Sequence, residues 1–295
     1  MSKLENAVPG YKKLIVEPYT PNIGALIHDF DLADIRDENV RDENVRGELR
    51  KALVEFQVLF FRKQQLTPEQ QIAVARVFGD PDKAKAFFPR HATEKLIEVL
   101  ETRPVAHRYG TDQWHADITF SANPPTGTVL YSHVIPPSGG DTLWASATAV
   151  FDSLPRSLQV YLEELEAVHS FEHSGWPNYF AQLENGEAIY RQARADNLPV
   201  VHPVIRTHPV TGRKLVYVNP NFTERIKGLS RQQSDALLAF IFAQFQRPEF
   251  QARLRWETNT VAIWDNRATV HYATADYDNQ HRLLHRVTFG EDHGF

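Results

Sequence analysis

The chain contains no cysteine. Disulfides, thiolate metal sites and cysteine nucleophiles are therefore excluded, and any metal has to be held by His, Asp or Glu. A basic excess is missing too: 37 Asp and Glu against 32 Lys and Arg leave a net charge of −5. That balance argues against a nucleic-acid face but leaves room for local arginines that hold a small anion. No apolar run approaches the ~18 residues of a membrane-spanning helix. The opening residues lack the roughly 7–15-residue apolar core of a secretory signal. The expectation is a soluble cytoplasmic protein with no membrane and no nucleic-acid partner. No glycine-rich first turn opens a series of β-α units, so a dinucleotide fold is disfavoured.

What is present is a chain of 295 residues, 42% of them hydrophobic. That suits a single domain spanning 1–295, since no linker cuts the chain in two. Short runs rich in β-branched and aromatic residues recur and read as strands. They are Leu14–Val16, Ile23–Ile27, Gln57–Phe61, Ile97–Leu100, Gly127–Val134, Val200–Ile205, Lys214–Val218, Ala252–Trp256, Val261–Trp264 and Arg282–Phe289. Thr67-Pro68-Glu69-Gln70 and Ser230 to Gln233 have capping-box spacing and predict helix starts. Further helices are expected over Arg46–Phe56 and Ser157–Glu166. Many strands with few helices predict a mainly β fold with flanking helices, a sandwich or barrel-like core. Glu172–Pro199 is long and poorly periodic, and reads as a mobile loop beside an active site. A tandem DENVR at Asp37–Arg46 reads as a small duplication in a solvated segment.

Trp114-His115-Ala116-Asp117 is the first chemical motif. On an extended strand, residues two apart share a face, so His115 and Asp117 could address one ion. With thirteen histidines in the chain, a hydrogen-bonded histidine beside a surface aspartate is the plain alternative. Far downstream, Val261–Trp264 runs into the polar turn Asp265-Asn266-Arg267, and His271 lies just beyond it. Two histidines and a carboxylate on one side of an ion form the facial set of non-haem iron(II) sites, which leaves three positions open. Arg282, Leu284 and Arg286 share a face if Arg282–Phe289 is a strand. Inward arginines need anions. Two guanidinium groups near a metal would suit two small acids, and pairing with surface carboxylates would explain them equally well.

As an ordered set these residues resemble the taurine dioxygenase/2,4-D dioxygenase family over nearly the whole chain. The resemblance includes Ile23-Gly24-Ala25, Val58-Leu59-Phe60-Phe61-Arg62, Thr67 to Gln71 and Phe78-Gly79. It continues through Trp114 to Phe120, Ser138-Gly139-Gly140-Asp141-Thr142-Leu143-Trp144 and His202 to Pro209. It closes with Trp264-Asp265-Asn266-Arg267, His271, Arg282 and Arg286. The resemblance implies a double-stranded β-helix (jelly-roll) and Fe(II) on His115, Asp117 and His271. It implies 2-oxoglutarate and O2 as co-substrates, with the distal carboxylate of 2-oxoglutarate on Arg282 and Thr142. Succinate and CO2 leave as a small acidic substrate, a sulfonate such as taurine or a carboxylate, is hydroxylated. Arg286 matches the arginine that grips the acid head, and Ile118 and Phe222 match the apolar wall. A homo-oligomer, dimer or tetramer, is implied as well. The carboxylate of Asp117 disfavours halogenation.

The sequence departs from the taurine enzymes around the substrate. Lys85 stands where they carry a binding histidine, and Phe88 replaces a tyrosine. Ser174-Gly175-Trp176-Pro177 stands where they place a phenylalanine before proline. Lys85 and Arg90 would favour a second anionic group if inward, and are solvated charges if outward. Two other classes stay open on the residues alone: a zinc hydrolase on the same three ligands, and a non-catalytic jelly-roll that binds a small acid.

Overall fold

The computed structural model describes residues 6–35, 43–82, 88–102, 112–277 and 280–290. Lys85 and most of the DENVR repeat lie outside them.

The fold is organised by strands buried on both faces. In Val261–Asp265, Val261 and Ile263 enter one core while Ala262 and Trp264 enter another. Val58–Phe61 divides the same way, Leu59 and Phe61 against Val58 and Phe60. Continuous apolar runs of this kind are what a doubly covered sheet requires. The large sheet runs in the order Ile15–Pro18, Ala25–His28, Val58–Phe61, Val261–Asp265, Gly127–Val134, Arg282–Gly290 and Asp80–Pro81, and Glu98–Thr102 also pairs with Arg282–Gly290. A smaller antiparallel sheet consists of Gln251–Leu254, Thr142–Ser146 and Thr269–Ala273.

The two sheets face each other. Phe60, Trp264 and Leu284 of the large sheet meet Trp144, Ala252 and Leu254 of the small one. Trp144 lies 5.4 Å from Phe60 and 5.7 Å from Trp264 by ring centroid. This is the jelly-roll sandwich, mainly β with flanking helices. Helices Glu43–Phe56 and Pro68–Ala75 cover the outer face of the large sheet. Helix Ala147–Ser153 packs behind the small one, and Arg231–Gln244 packs against the strand Thr223–Ile226 of a further sheet. Both expected capping boxes form, Thr67 with Gln70 and Ser230 with Gln233. Among the described residues no helix is long and apolar enough to cross a membrane.

Three local expectations need correction. His115 and Asp117 do not sit on a regular strand: His115 makes an isolated bridge to His271, and Ile118 turns the chain with φ of 57°. His271, just beyond the polar turn as expected, lies inside the strand Thr269–Ala273. Val200–Ile205 is split between Val200–Pro203 and the start of Ile205–Thr207, in different sheets. The stretch after Glu172 contains the helices Trp176–Phe180 and Gly186–Asp196. The second of these buries only Gly186 and Ala193, which explains its weak apolar periodicity.

Candidate metal centre and acid pocket

The bridge between His115 and His271 brings two distant segments into register. His115 N–H donates to the His271 carbonyl at 2.9 Å, and His271 N–H returns a bond at 2.6 Å. Their rings lie 4.1 Å apart. Asn266 ties the third residue to the same turn: its amide donates to the Asp117 carbonyl at 2.9 Å and accepts from the Asp117 N–H at 2.7 Å. As a result one ligand atom from each of His115, Asp117 and His271 lies within 4.8 Å of the others, and all three residues are buried.

The donor set fits a divalent metal. His115 Nδ1–H donates to the Gln113 carbonyl at 2.7 Å, which leaves the Nε2 lone pair available. Burial lowers the His115 pKa, and burial with the neighbouring His115 takes His271 well below the usual histidine value. Both rings are therefore neutral and able to coordinate. Burial alone would raise the Asp117 pKa, but the Arg286 charge and the Thr128 hydrogen bond hold it below the usual carboxylate value.

Asp117 has fixed partners for both oxygens. Arg286 Nη1 donates to Oδ1 at 3.0 Å, and the Thr128 hydroxyl donates to Oδ2 at 3.0 Å. Arg286 also gives its Nε–H to Glu98 at 2.6 Å, and both side chains of that pair are buried. Its guanidinium lies 4.6 Å above the Phe88 ring, a cation–π contact.

Arg282 is a different case. It is 9% exposed, and its Nη2 donates to the Gly140 carbonyl at 3.0 Å. Its Nε–H has no partner among the described residues. The nearby carboxylate of Asp141 is taken by Arg253 at 2.7 Å. Gly140, with φ of 70°, lets the backbone press so close that a Cβ would sit 3.1 Å from Arg282 Nε. Burial lowers the Arg282 pKa, and the charge of Asp141 offsets this only in part. Beside it on the cavity wall, Thr142 accepts the Trp256 indole N–H at 2.9 Å. Indole only donates, so the Thr142 hydroxyl hydrogen is left to point elsewhere.

These groups open onto one cavity of about 100 Å³. His115, Asp117, His271, Thr142, Arg282 and Arg286 all line it, and so do Ile118, Phe222 and Phe88. Trp176, at the site of the departure from the taurine pattern, meets Phe88 edge to face at 4.9 Å and completes the wall. Arg90 is exposed, outside this wall.

Sequence reading did not single out Glu98, Thr128, Asn221, Trp256 or the supporting role of Asn266. Thr128 could have been found, because it falls on the inward face of Gly127–Val134 together with Leu130. Glu98 offered only a polar residue inside an apolar strand. The Asp265 carboxylate is structural: it accepts from Arg267 and from His208 Nε2 at 2.9 Å, which steadies the turn before His271.

Two imidazoles and a carboxylate at the wall of an enclosed pocket, between the sheets of a jelly-roll, define a metal-dependent enzyme of the two-histidine, one-carboxylate class. The chain belongs to the taurine catabolism dioxygenase TauD/TfdA family, whose model matches residues 15–288. It is 34% identical over 279 residues to an alkylsulfatase of Acinetobacter baylyi, covering 94% of this chain and 85% of that protein. It is 35% identical over 285 residues to an alpha-ketoglutarate-dependent sulfate ester dioxygenase of Pseudomonas putida, covering 95% and 90%. The structure of a taurine dioxygenase from Burkholderia xenovorans superposes with a TM-score of 0.78 at 32% identity, covering 95% of this chain and 90% of that one. The protein is accordingly a 2-oxoglutarate-dependent dioxygenase.

Proposed function

We propose that this chain uses Fe(II), 2-oxoglutarate and O2 to oxidise a small sulfur-containing acid, an alkyl sulfate ester or alkylsulfonate. The observation that carries the reading is one cavity that holds both the three converging donors and a buried guanidinium whose Nε–H has no partner among the described residues. His115, Asp117 and His271 hold the metal. Arg282 takes the distal carboxylate of 2-oxoglutarate, and the Thr142 hydroxyl donates to the same carboxylate. Bound iron would supply O2 activation coupled to oxidative decarboxylation, which yields succinate and CO2. Arg286 orients the acid head of the organic substrate, and Phe88, Ile118 and Phe222 exclude water from its carbon chain. The alkylsulfatase and sulfate ester dioxygenase relatives favour a sulfate ester. The apolar wall, with Phe88 and Trp176, suits an alkyl chain better than the ammonium end of taurine.

Hydroxylation at the carbon bearing the ester oxygen gives a 1-hydroxyalkyl sulfate. Its C–O bond to sulfate then breaks, the bonding pair leaves with sulfate, the hydroxyl proton is lost, and an aldehyde remains. The test is a panel of alkyl sulfates, alkylsulfonates and aryloxyacetates with Fe(II) and 2-oxoglutarate, followed by O2 uptake, succinate and released sulfate or sulfite. Equal amounts of succinate, aldehyde and sulfate from an alkyl sulfate are expected. Substrate cleavage that proceeds without O2 and with Zn(II) would instead make this a hydrolase.

A further inference from the structure

The segment Asn219-Pro220-Asn221-Phe222 carries two asparagines with different fates. The Asn219 amide is fully explained by the fold. Its Oδ1 accepts the Phe222 N–H at 2.9 Å, and its Nδ2 donates to Thr119 at 3.0 Å. Those bonds fix the turn that sets Phe222 edge-on to His115, with ring centroids 6.2 Å apart.

Asn221 has no such work. Its side chain lines the cavity, is only 3% exposed, and its Oδ1 has no hydrogen-bond partner among the described residues. It sits next to Phe222 in a wall otherwise made of Ile118, Phe120, Phe222, Phe88 and Trp176. A buried amide oxygen left unpaired is costly, and a leucine there would continue the apolar wall without that cost. No described residue uses the amide oxygen, which is left facing the cavity where a ligand can meet it.

We propose that Asn221 is a specificity-determining residue whose amide hydrogen-bonds a hydroxyl that the organic substrate carries in addition to its acid group. Rotation of the amide exchanges its acceptor and donor ends. A hydroxyl pairs with either end, since it both donates and accepts. A plain alkyl chain pairs with neither. The substrate class is thus a hydroxyalkyl sulfate or sulfonate, which narrows the sulfur-acid reading and rests on it.

The experiment compares an n-alkyl sulfate with the hydroxyalkyl sulfate of the same chain length. Succinate formation gives kcat/KM for each, and calorimetric titration under argon gives Kd for each without turnover. Wild-type protein is expected to prefer the hydroxylated compound. Asn221→Leu is expected to lower that preference by about tenfold in both readouts, the effect of one buried hydrogen bond. Asn221→Ala, which only removes atoms, is the second variant should the larger side chain disturb the wall. A preference that stays within about twofold of wild type in both variants overturns the role of Asn221 while the sulfur-acid reading stands. Wild-type protein that turns over and binds neither compound removes the sulfur-acid reading, and this inference with it.

Discussion

Arg286 and Asp117 are joined by a 3.0 Å hydrogen bond between Nη1 and Oδ1, while the same guanidinium holds Glu98 at 2.6 Å. The arginine proposed to orient the substrate's acid head is therefore already bound to two carboxylates, one of them in the candidate metal set. The group as a whole is net negative, which suits a divalent cation. An acidic substrate has to share a charge that Glu98 partly neutralises.

Glu98→Gln is expected to separate those effects. The amide can still accept from Arg286, but the cavity becomes one charge more positive. The apparent KM for an acidic substrate should fall several-fold, and the protein should lose about 1–3 kcal/mol of stability with the buried ion pair. Steady-state kinetics and urea unfolding measure the two effects. A KM that rises would mean that Glu98 matters for the position of Arg286 and not for its charge.

Arg282→Ala addresses the buried guanidinium whose Nε–H has no partner among the described residues. The wild-type protein bears the cost of burying that cation, so the variant without ligand should be no less stable. Added 2-oxoglutarate should raise the melting temperature of the wild type and leave the variant unmoved. In turnover the variant's KM for 2-oxoglutarate should rise about 10- to 100-fold, from loss of charge-assisted bonds. The KM for the organic substrate should move far less. Equal changes in both would place Arg282 with the substrate instead.

How far the site could be read from sequence depended on whether local pattern and tertiary placement agreed. Arg282, Leu284 and Arg286 do share the inward face, because a nine-residue strand imposes a period of two. The capping boxes at Thr67 and Ser230 are local chemistry and form as spaced. The arrangement around His115 was not legible, since an isolated bridge and a positive φ at Ile118 bring the donors together where a strand was expected. Thr269–Ala273 escaped notice because polar Thr269 and His271 interrupt its apolar pattern. Glu98 and Asn221 left almost no signal. Their importance lies in what surrounds them after folding, a guanidinium in one case and the absence of a partner in the other.

Asp265 predicts an acid-sensitive turn. Burial alone would raise its pKa, but Arg267 and His208 hold it down to about 2, against 3.8 unperturbed. A depressed folded pKa means that the unfolded chain binds the proton first. The stabilisation is therefore complete above the unfolded value and is lost as pH falls from about 4 toward 2. It amounts to about 2 kcal/mol. Asp265→Asn should be destabilised by at least that order at pH 7, and the gap to wild type should narrow below pH 4. Urea denaturation at the two pH values measures it, and a gap independent of pH would show that the carboxylate's charge is not what steadies the turn.

Trp256 directs the Thr142 hydroxyl hydrogen from behind the cavity wall. Because its indole N–H occupies Thr142 Oγ1 at 2.9 Å, the Thr142 hydroxyl is biased to donate toward the cavity it shares with Arg282. Trp256→Phe keeps an aromatic ring in the core but removes that donor, so the hydroxyl can rotate away. Thr142→Val removes the hydroxyl altogether. If the bias matters, 2-oxoglutarate should bind about threefold weaker in the first variant and about tenfold weaker in the second, as expected for misdirecting and then deleting one neutral hydrogen bond. Calorimetric titration of 2-oxoglutarate into the metal-loaded, oxygen-free protein reads both. Combining the changes discriminates further. Once the hydroxyl is absent the indole has nothing left to direct, so Trp256→Phe should cost no additional affinity in the Thr142→Val background. Additive losses would mean that Trp256 acts on the pocket through packing against Trp144 and not through Thr142.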